Sequence, residues 1–404
     1  MNILQFQARE EQLAALRPPK NYGIAQVSFK VGATGITAAK AEQLELYTKE
    51  LLRTLDQKHW LVRLPENFLN FVLTKHGIND VLSKRHLLEA IPDGYPRPAC
   101  EYFNHSVDPG SLEDAAGRIQ ERLASGKSLY LKPAGFFGAH GGRELVHLQP
   151  RGKDEIWIKY TNDLEPFLRE QFSYDFSVHR RSERVGAVVF KGMAESRQKF
   201  LGNFISVLVG DRVVEDEIAI YPIYGRKWEL RVACLAPERE TQVVARFCKL
   251  GGDDFAANIS LGGQSTPPEK TIAALYRDKL PHLTASQIKS LTETFIYEAD
   301  GLALGVVKAV NQKLPEWFGK YATFPAQTLF VRLAAVDITG VFDPVTERVR
   351  PIIMEVQYPQ FGLTPDEDCH DPITRENFIR LGAIVVQEAA QDLMKMFPSY
   401  KGIL

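Results

Sequence analysis

Two apolar segments, VRLAAVDITGV (331–341) and RPIIMEVQYP (350–359), are joined by Phe342-Asp343-Pro344-Val345-Thr346-Glu347, and that spacing reads as an antiparallel hairpin. Folded about Val345 and Thr346, the hairpin sets Asp337 opposite or diagonal to Glu355. The two-residue period of a strand puts Gln357 on the face of Glu355. Two facing carboxylates repel. A hard divalent cation such as Mg2+ removes the conflict, because it takes oxygen ligands from carboxylates and amides and keeps positions open for nucleotide phosphates. The expectation is a metal–nucleotide site built on Asp337, Glu355 and Gln357.

Composition narrows the classes this hairpin can belong to. At 404 residues, 45% hydrophobic and 25% charged, the chain is long enough for two or three packed units and too apolar for disorder. Its 49 basic and 50 acidic residues give no field that would gather nucleic acid or anionic lipid, so small molecules or proteins are the expected partners. Cys100, Cys234, Cys248 and Cys369 are scattered and form no CxxC pair, which argues against a zinc site or a disulfide scaffold and for a reducing compartment. The N-terminal run is broken by Arg9, Glu10 and Glu11, and no stretch approaches the roughly 18 apolar residues of a membrane span. A cytoplasmic location is expected.

Periodicity suggests three units. Residues 36–56 have helical spacing and are followed by short apolar runs, as in an N-terminal α/β unit. The Pro-rich passage Ile91–Pro98 precedes a helix-like segment, LEDAAGRIQERLASG, with Gly126 as its C-cap. Strands are expected at SLYLKP, ELVHLQ, GAVVFKG, FISVLVG, VVEDEIAIYP, WELRVACLAP and TQVVARFCKL, which makes the middle of the chain rich in antiparallel sheet. A long helix is expected from Ala285 to about Lys313 and an amphipathic one from about Thr374 to Met396. The division expected is 1–115, 116–220 and 221–404.

Several residues in this frame could carry chemistry. Gly135, Gly138, Gly141 and Gly142 follow Lys132 directly and suit a flap over polyphosphate, since glycine lets backbone N–H groups approach oxygen atoms; no Walker A lysine follows them. Lys132 closes a short apolar strand and so wants an anionic partner. In Lys227–Cys234, alternation gives Trp228, Leu230, Val232 and Cys234 one face and Glu229, Arg231 and Ala233 the other. Arg246 and the segment from Ala256 to Gly263, with Asn258 and Ser260, would place donors suited to a phosphate or acyl-phosphate oxygen. His140 within the glycine tip and the run His179-Arg180-Arg181 with Arg184 read as structural or solvated, and His147 and His370 lack partners at metal-ligand spacing.

In order along residues 79–362, these pieces resemble the ATP-grasp superfamily, with 215–357 most similar to its YheC/YheD-like branch and to RimK-type glutamate ligases. The resemblance implies an α+β ATP-grasp fold, in which an N-terminal α/β domain precedes two α+β subdomains that sandwich the nucleotide. It assigns Lys84 and Lys132 to the ATP phosphates. The hinge of Glu215, Asp216, Glu217 and Ile218 goes to adenine and ribose, and Arg231, Arg246 and Asn258 to the γ-phosphate and acyl substrate. Asp337, Glu355 and Gln357 go to Mg2+. The chain departs from the family where Gln357 replaces the usual Asn, and where Ala335 replaces an arginine, with Arg332 nearby.

The implied activity is ATP-dependent carboxylate–amine ligation through an acyl phosphate, joining amino acid or peptide substrates. Two alternatives stand beside it: a small-molecule kinase of the same fold, and a non-catalytic nucleotide-binding or assembly protein, for which the Gln357 departure speaks.

Overall fold

The structure, a computed structural model, describes residues 5–6, 27–28, 91, 94–103, 109–133, 145–152, 155–161, 185–191, 194–207, 212–235, 240–252, 256–257, 263–321 and 333–357. Lys84, the glycine tip with Gly135, Gly138, His140 and Gly141, and Asn258 lie outside these residues. So do the arginine run at 180–184, His370 and the helices expected over 36–56 and 374–396.

A short pair, Gln5–Phe6 (β1) with Val27–Ser28 (β2), stands apart from two larger antiparallel sheets. The first contains Cys100–Phe103 (β3), Leu129–Pro133 (β4), Val146–Arg151 (β5), Glu155–Thr161 (β6), Val185–Lys191 (β7) and Arg212–Asp216 (β8), in the order β3-β8-β4-β5-β6-β7. Its helices are Pro109–Ala124 (α1) and Ala194–Val207 (α2). Strict alternation builds this unit. Leu129, Leu131, Val146, Leu148, Ile156 and Ile158 are buried in one cluster with Ala116, Ile119 and Leu123 of α1 and Phe200, Leu201 and Phe204 of α2. Tyr130, Lys132, His147, Lys159 and Glu215 therefore take the other face.

Gly126 ends α1 as the sequence suggests. At φ +84° it donates its N–H to the Leu123 carbonyl at 3.0 Å, and Lys127 donates to the Arg122 carbonyl at 3.2 Å, the paired bonds of a Schellman cap. The expected strand FISVLVG is a correction. Phe204–Val207 close α2 instead, because Phe200, Leu201 and Phe204 fall at helical spacing and pack against the sheet, and a short apolar run reads equally well in either period.

The second sheet runs β11-β10-β9-β12-β13, from Trp228–Leu235 (β9), Gln242–Leu250 (β10), Gln264–Thr266 (β11), Leu333–Asp343 (β12) and Arg348–Gln357 (β13). Pro268–Lys279 (α3) and Ala285–Tyr321 (α4) cover one face. Trp228, Leu230, Val232, Cys234, Ile338, Ile353 and Val356 pack there with Ile272, Leu275, Phe295, Ala299 and Val306. A capping box opens α4: the Gln287 N–H donates to Thr284 Oγ1, and the Thr284 N–H donates to Gln287 Oε1 at 2.9 Å. The helix runs past the expected end at Lys313 to Tyr321. The fold class is thus α+β, with two antiparallel sheets and four helices among the described residues. None of these helices is long and apolar enough to cross a membrane.

The hairpin forms with its turn at residues 344–347, and it contains a feature that simple folding misses. From Asp343↔Arg348 to Ile338↔Ile353 the register is regular, and then it slips, giving Asp337↔Glu355 and Val336↔Val356. Met354 is the extra residue of this β-bulge. An uninterrupted register would bring Met354 opposite Asp337 and turn Glu355 toward the helices. The bulge keeps Ile353 and Val356 both in the core and leaves Glu355 on the opposite face, level with Asp337.

One segment touches both sheets. Ile91 belongs to the core of the second sheet and Tyr95 packs against it, with its ring lodged where Gly305 of α4 has no Cβ. The Pro96 carbonyl accepts the Ile353 N–H at 2.9 Å, and the Ala99 carbonyl accepts the Asp216 N–H at 2.8 Å. The chain then enters β3, so this strand lies N-terminal to the expected division at 115 yet is hydrogen-bonded into the first sheet.

Gly340 of β12 has no room for a side chain. A Cβ there would overlap Val349 and lie 3.1 Å from Phe295 and 3.2 Å from Trp228. Gly340→Ala is expected to destabilise the fold by about 1–3 kcal/mol. Urea unfolding followed by tryptophan fluorescence checks this, and an unchanged midpoint would contradict the packing described.

Candidate functional site

The face of the second sheet away from its helices carries a compact set of charges. The registers Asp337↔Arg231, Asp337↔Glu355 and Lys249↔Glu229 put one arginine, one lysine and three carboxylates on neighbouring strands. Arg231 donates from Nε to Asp337 Oδ1 at 2.7 Å and from Nη2 to Oδ2 at 2.8 Å, a two-point pairing that matches the fork of a guanidinium to a carboxylate. Lys249 Nζ donates to Asp337 Oδ2 at 2.9 Å and lies 2.5 Å from Glu229 Oε2. Asp337 is 0% exposed. Burial works to raise its carboxyl, and Arg231 and Lys249 outweigh that and hold it well below the usual carboxylate range. The repulsion expected between Asp337 and Glu355 is thus answered, on the Asp337 side, by two cations of the chain itself.

The first sheet turns its own charged face toward this one. Lys132 is ion-paired with Glu215 on the adjacent strand. Burial opposes its charge, and the fields of Glu215 and then of Glu355, across on β13, outweigh burial and hold the ammonium protonated. Glu229 of β9 adds to the same effect. Lys132, Glu215, Glu229, Arg231, Lys249, Asp337 and Glu355 therefore share one electrostatic neighbourhood drawn from both sheets.

Beside it the residues expected to form a hinge divide. Asp216 turns away and is held by Arg122 Nε at 2.9 Å and Lys127 Nζ at 2.8 Å, at the end of α1, so it is not grouped with Glu215 and Glu217. Glu217 accepts from Lys227 Nζ at 2.5 Å and meets His147 Nε2 at 3.0 Å. Lys227 also donates to the Tyr130 hydroxyl, and Tyr130 stacks on His147 with centroids 4.4 Å apart and planes 14° apart. Burial works to raise the Glu217 carboxyl, and the His147 hydrogen bond and Lys227 bring it down to about 2. Burial pushes the His147 imidazole below its ordinary value. The neutral ring then presents Nε2–H to Glu217, and its Nδ1 finds no partner among the described residues. Ile218 is half-buried and its carbonyl accepts the Ile220 N–H at 2.7 Å.

Arg246 departs from the expected grouping. Its register with Val232 puts it on the helix side of the sheet, where Nε donates to Asp300 Oδ1 of α4 at 2.7 Å, so it does not face what Arg231 faces. Gln357 takes its place in β13 opposite Ala335. Lys249, Lys227, Tyr130 and His147 were not singled out as site residues from the sequence. For Lys249 a signal existed, a lysine inside the apolar strand TQVVARFCKL, but its partner Asp337 lies 88 residues away.

No family model matches the chain, and no curated protein does. Among solved structures it is similar to the crystal structure of D-cycloserine synthetase DcsG, at a TM-score of 0.38 and 11% sequence identity, over 84% of this chain and 80% of that one. A likeness that distant carries no inference about activity.

Removing the charge of Asp337 would leave Arg231 and Lys249 buried with one countercharge fewer. Asp337→Asn is expected to cost about 3–5 kcal/mol in a denaturant titration; a loss below about 1 kcal/mol would show the cluster to be hydrated. The depressed carboxylates also set a pH dependence. Glu217 ionises at about 2 in the fold against 4.5 ordinarily, so its contribution is complete above about pH 4.5 and drains away as the pH falls toward 2. Thermal midpoints should drop over that window, and Glu217→Gln should flatten part of the drop. An identical profile in the variant would rule Glu217 out as a source.

Proposed function

We propose that the chain binds a nucleoside triphosphate between the charged faces of its two sheets, in the manner of an ATP-grasp protein, and acts as an ATP-dependent carboxylate–amine ligase. One observation supports this reading above the others: Lys132 of the first sheet lies within the field of Glu355 and Glu229 of the second, at the meeting of two charged, largely buried faces. Burying ionised groups costs more than leaving them in water, so a fold that gathers them on facing sheets has a use for them. A polyanion with its counter-ions is the ligand whose chemistry fits.

Of the three side chains expected to hold Mg2+, Asp337 does not fit, since Arg231 and Lys249 occupy both of its oxygens and the side chain is fully buried. Glu355 is half-buried and retains the chemistry of a hard-cation ligand, with Gln357 two residues along its strand. A protonated lysine has three N–H donors. Among the described residues Lys132 directs one to Glu215, and Lys249 directs two to Glu229 and Asp337, which leaves each a donor suited to a phosphoryl oxygen. Lys84, Gly135, Gly138, Gly141 and Asn258 are assigned to the triphosphate by the sequence resemblance.

In this mechanism a substrate carboxylate attacks the γ-phosphorus and ADP leaves with the electrons of the bond that breaks. An amine then opens the acyl phosphate, losing a proton and releasing phosphate. Positioning and charge neutralisation lower the barrier, and no strong general base is required among the side chains. A second reading, a nucleotide-binding or assembly protein without turnover, is favoured by the saturation of Asp337.

The test is nucleotide binding by calorimetry, then ADP release with a panel of carboxylates and amines in the presence of hydroxylamine. The expected result is ADP release with formation of a hydroxamate. A stable phosphorylated alcohol indicates a kinase, binding without ADP release favours the non-catalytic reading, and absence of binding removes the proposal. Lys132→Met should weaken nucleotide binding at least about tenfold.

A further inference from the structure

We infer that Lys249 is a built-in cation at Asp337, holding from within the chain the place a divalent metal would take on that carboxylate, so that Asp337 is a positioning residue for Arg231 and no metal ligand. A carboxylate offers about four lone-pair sites. Arg231 takes one on each oxygen of Asp337, and Lys249 takes a further one on Oδ2. Lys249 is itself fixed from a second side by Glu229, its register partner on β9, and is 8% exposed. A dication on the remaining lone pair, on Oδ1, would lie about 6 Å from that ammonium with the Arg231 guanidinium beside it, and like charges so close, out of water, repel strongly. Glu355, the register partner of Asp337 on β13, lies in the fields of Arg231 and Lys132 and is the carboxylate of this pair left to receive a hard cation.

The inference goes beyond the nucleotide reading and holds whether or not the chain turns over ATP. It predicts that a metal ligand is masked and can be uncovered. Lys249→Met keeps the length and apolar stem of the side chain and removes its charge, leaving Asp337 with a second free lone pair and one cation fewer beside it.

The experiment is Mn2+ binding to the full chain without nucleotide, read from the free-ion signal in electron paramagnetic resonance. In the wild type, Asp337→Asn is expected to change Mn2+ affinity less than about threefold, and a wild type that binds no Mn2+ at millimolar concentration agrees with this. Lys249→Met is expected to tighten Mn2+ binding at least about tenfold, and adding Asp337→Asn to it should abolish the gain, an effect that loss of structure alone would not produce. Glu355→Gln should weaken whatever binding the wild type has. A tenfold loss in Asp337→Asn, or no gain in a folded Lys249→Met, overturns the inference. If Lys249→Met does not fold, Lys249→Gln carries the same comparison. Because nucleotide is absent, a failure here is separate from a failure of the ligase reading.

Discussion

The bond between Arg231 and Asp337 is the interaction on which the rest of the second sheet depends. Both groups are buried, and neither would tolerate the interior alone. Their two-point pairing joins β9 to β12, and Lys249 brings β10 into the same contact. A slip of one residue in any of these strands would send a charged side chain among Trp228, Leu230 and Val232. The cluster therefore acts on specificity of register more than on net stability, which for a buried ion pair is small once desolvation is counted.

From that fixed row the charged face extends outward in two directions. On its own sheet it reaches Glu355, which the bulge at Met354 keeps on the correct side. Toward the first sheet it reaches Lys132 and Glu215, whose strands are presented by a separate core of α1 and α2. Lys227, Glu217, Tyr130 and His147 close the same neighbourhood between β8 and β9, and the strand entrance at Pro96 and Ala99 bonds to β13 and β8 in turn. The two sheets are thus tied by Lys227 and by the strand entrance, where Tyr95 also packs against α4 and Arg122 of α1 donates to the Ala99 carbonyl at 3.4 Å.

Much of this was legible in the sequence, and the parts that were not have physical reasons. The alternation of Trp228–Cys234 named the core face and the charged face correctly, because one side of that strand meets helices and the other does not. The hairpin and its turn could be read from two apolar runs flanking Asp343-Pro344. A bulge leaves no mark in RPIIMEVQ, where Ile352, Ile353 and Met354 suit either face. Arg246 was misgrouped because the register slip at Val243 and Ala245 reverses which residues of β10 face the helices. The partners of Asp337 and His147 lie 106 and 70 residues away, so nothing local announces them. The helix over Phe204–Val207 was taken for a strand because a run that short has no decisive period.

The extra residue at Met354 ties the face that Glu355 takes to the way β13 pairs with β12. Regular pairing of β13 with β12 at unchanged length, a gain in ladder hydrogen bonding, would swing Glu355 into the hydrophobic layer over Phe295, whereas loss of one residue from Ile352 to Met354 would remove the bulge and leave Glu355 opposite Asp337. A better-formed strand of the same length would then cost the charged face one carboxylate. The count of residues between the turn and Glu355, taken together with the bulge, thus decides which face that carboxylate takes, ahead of the identity of the residues between.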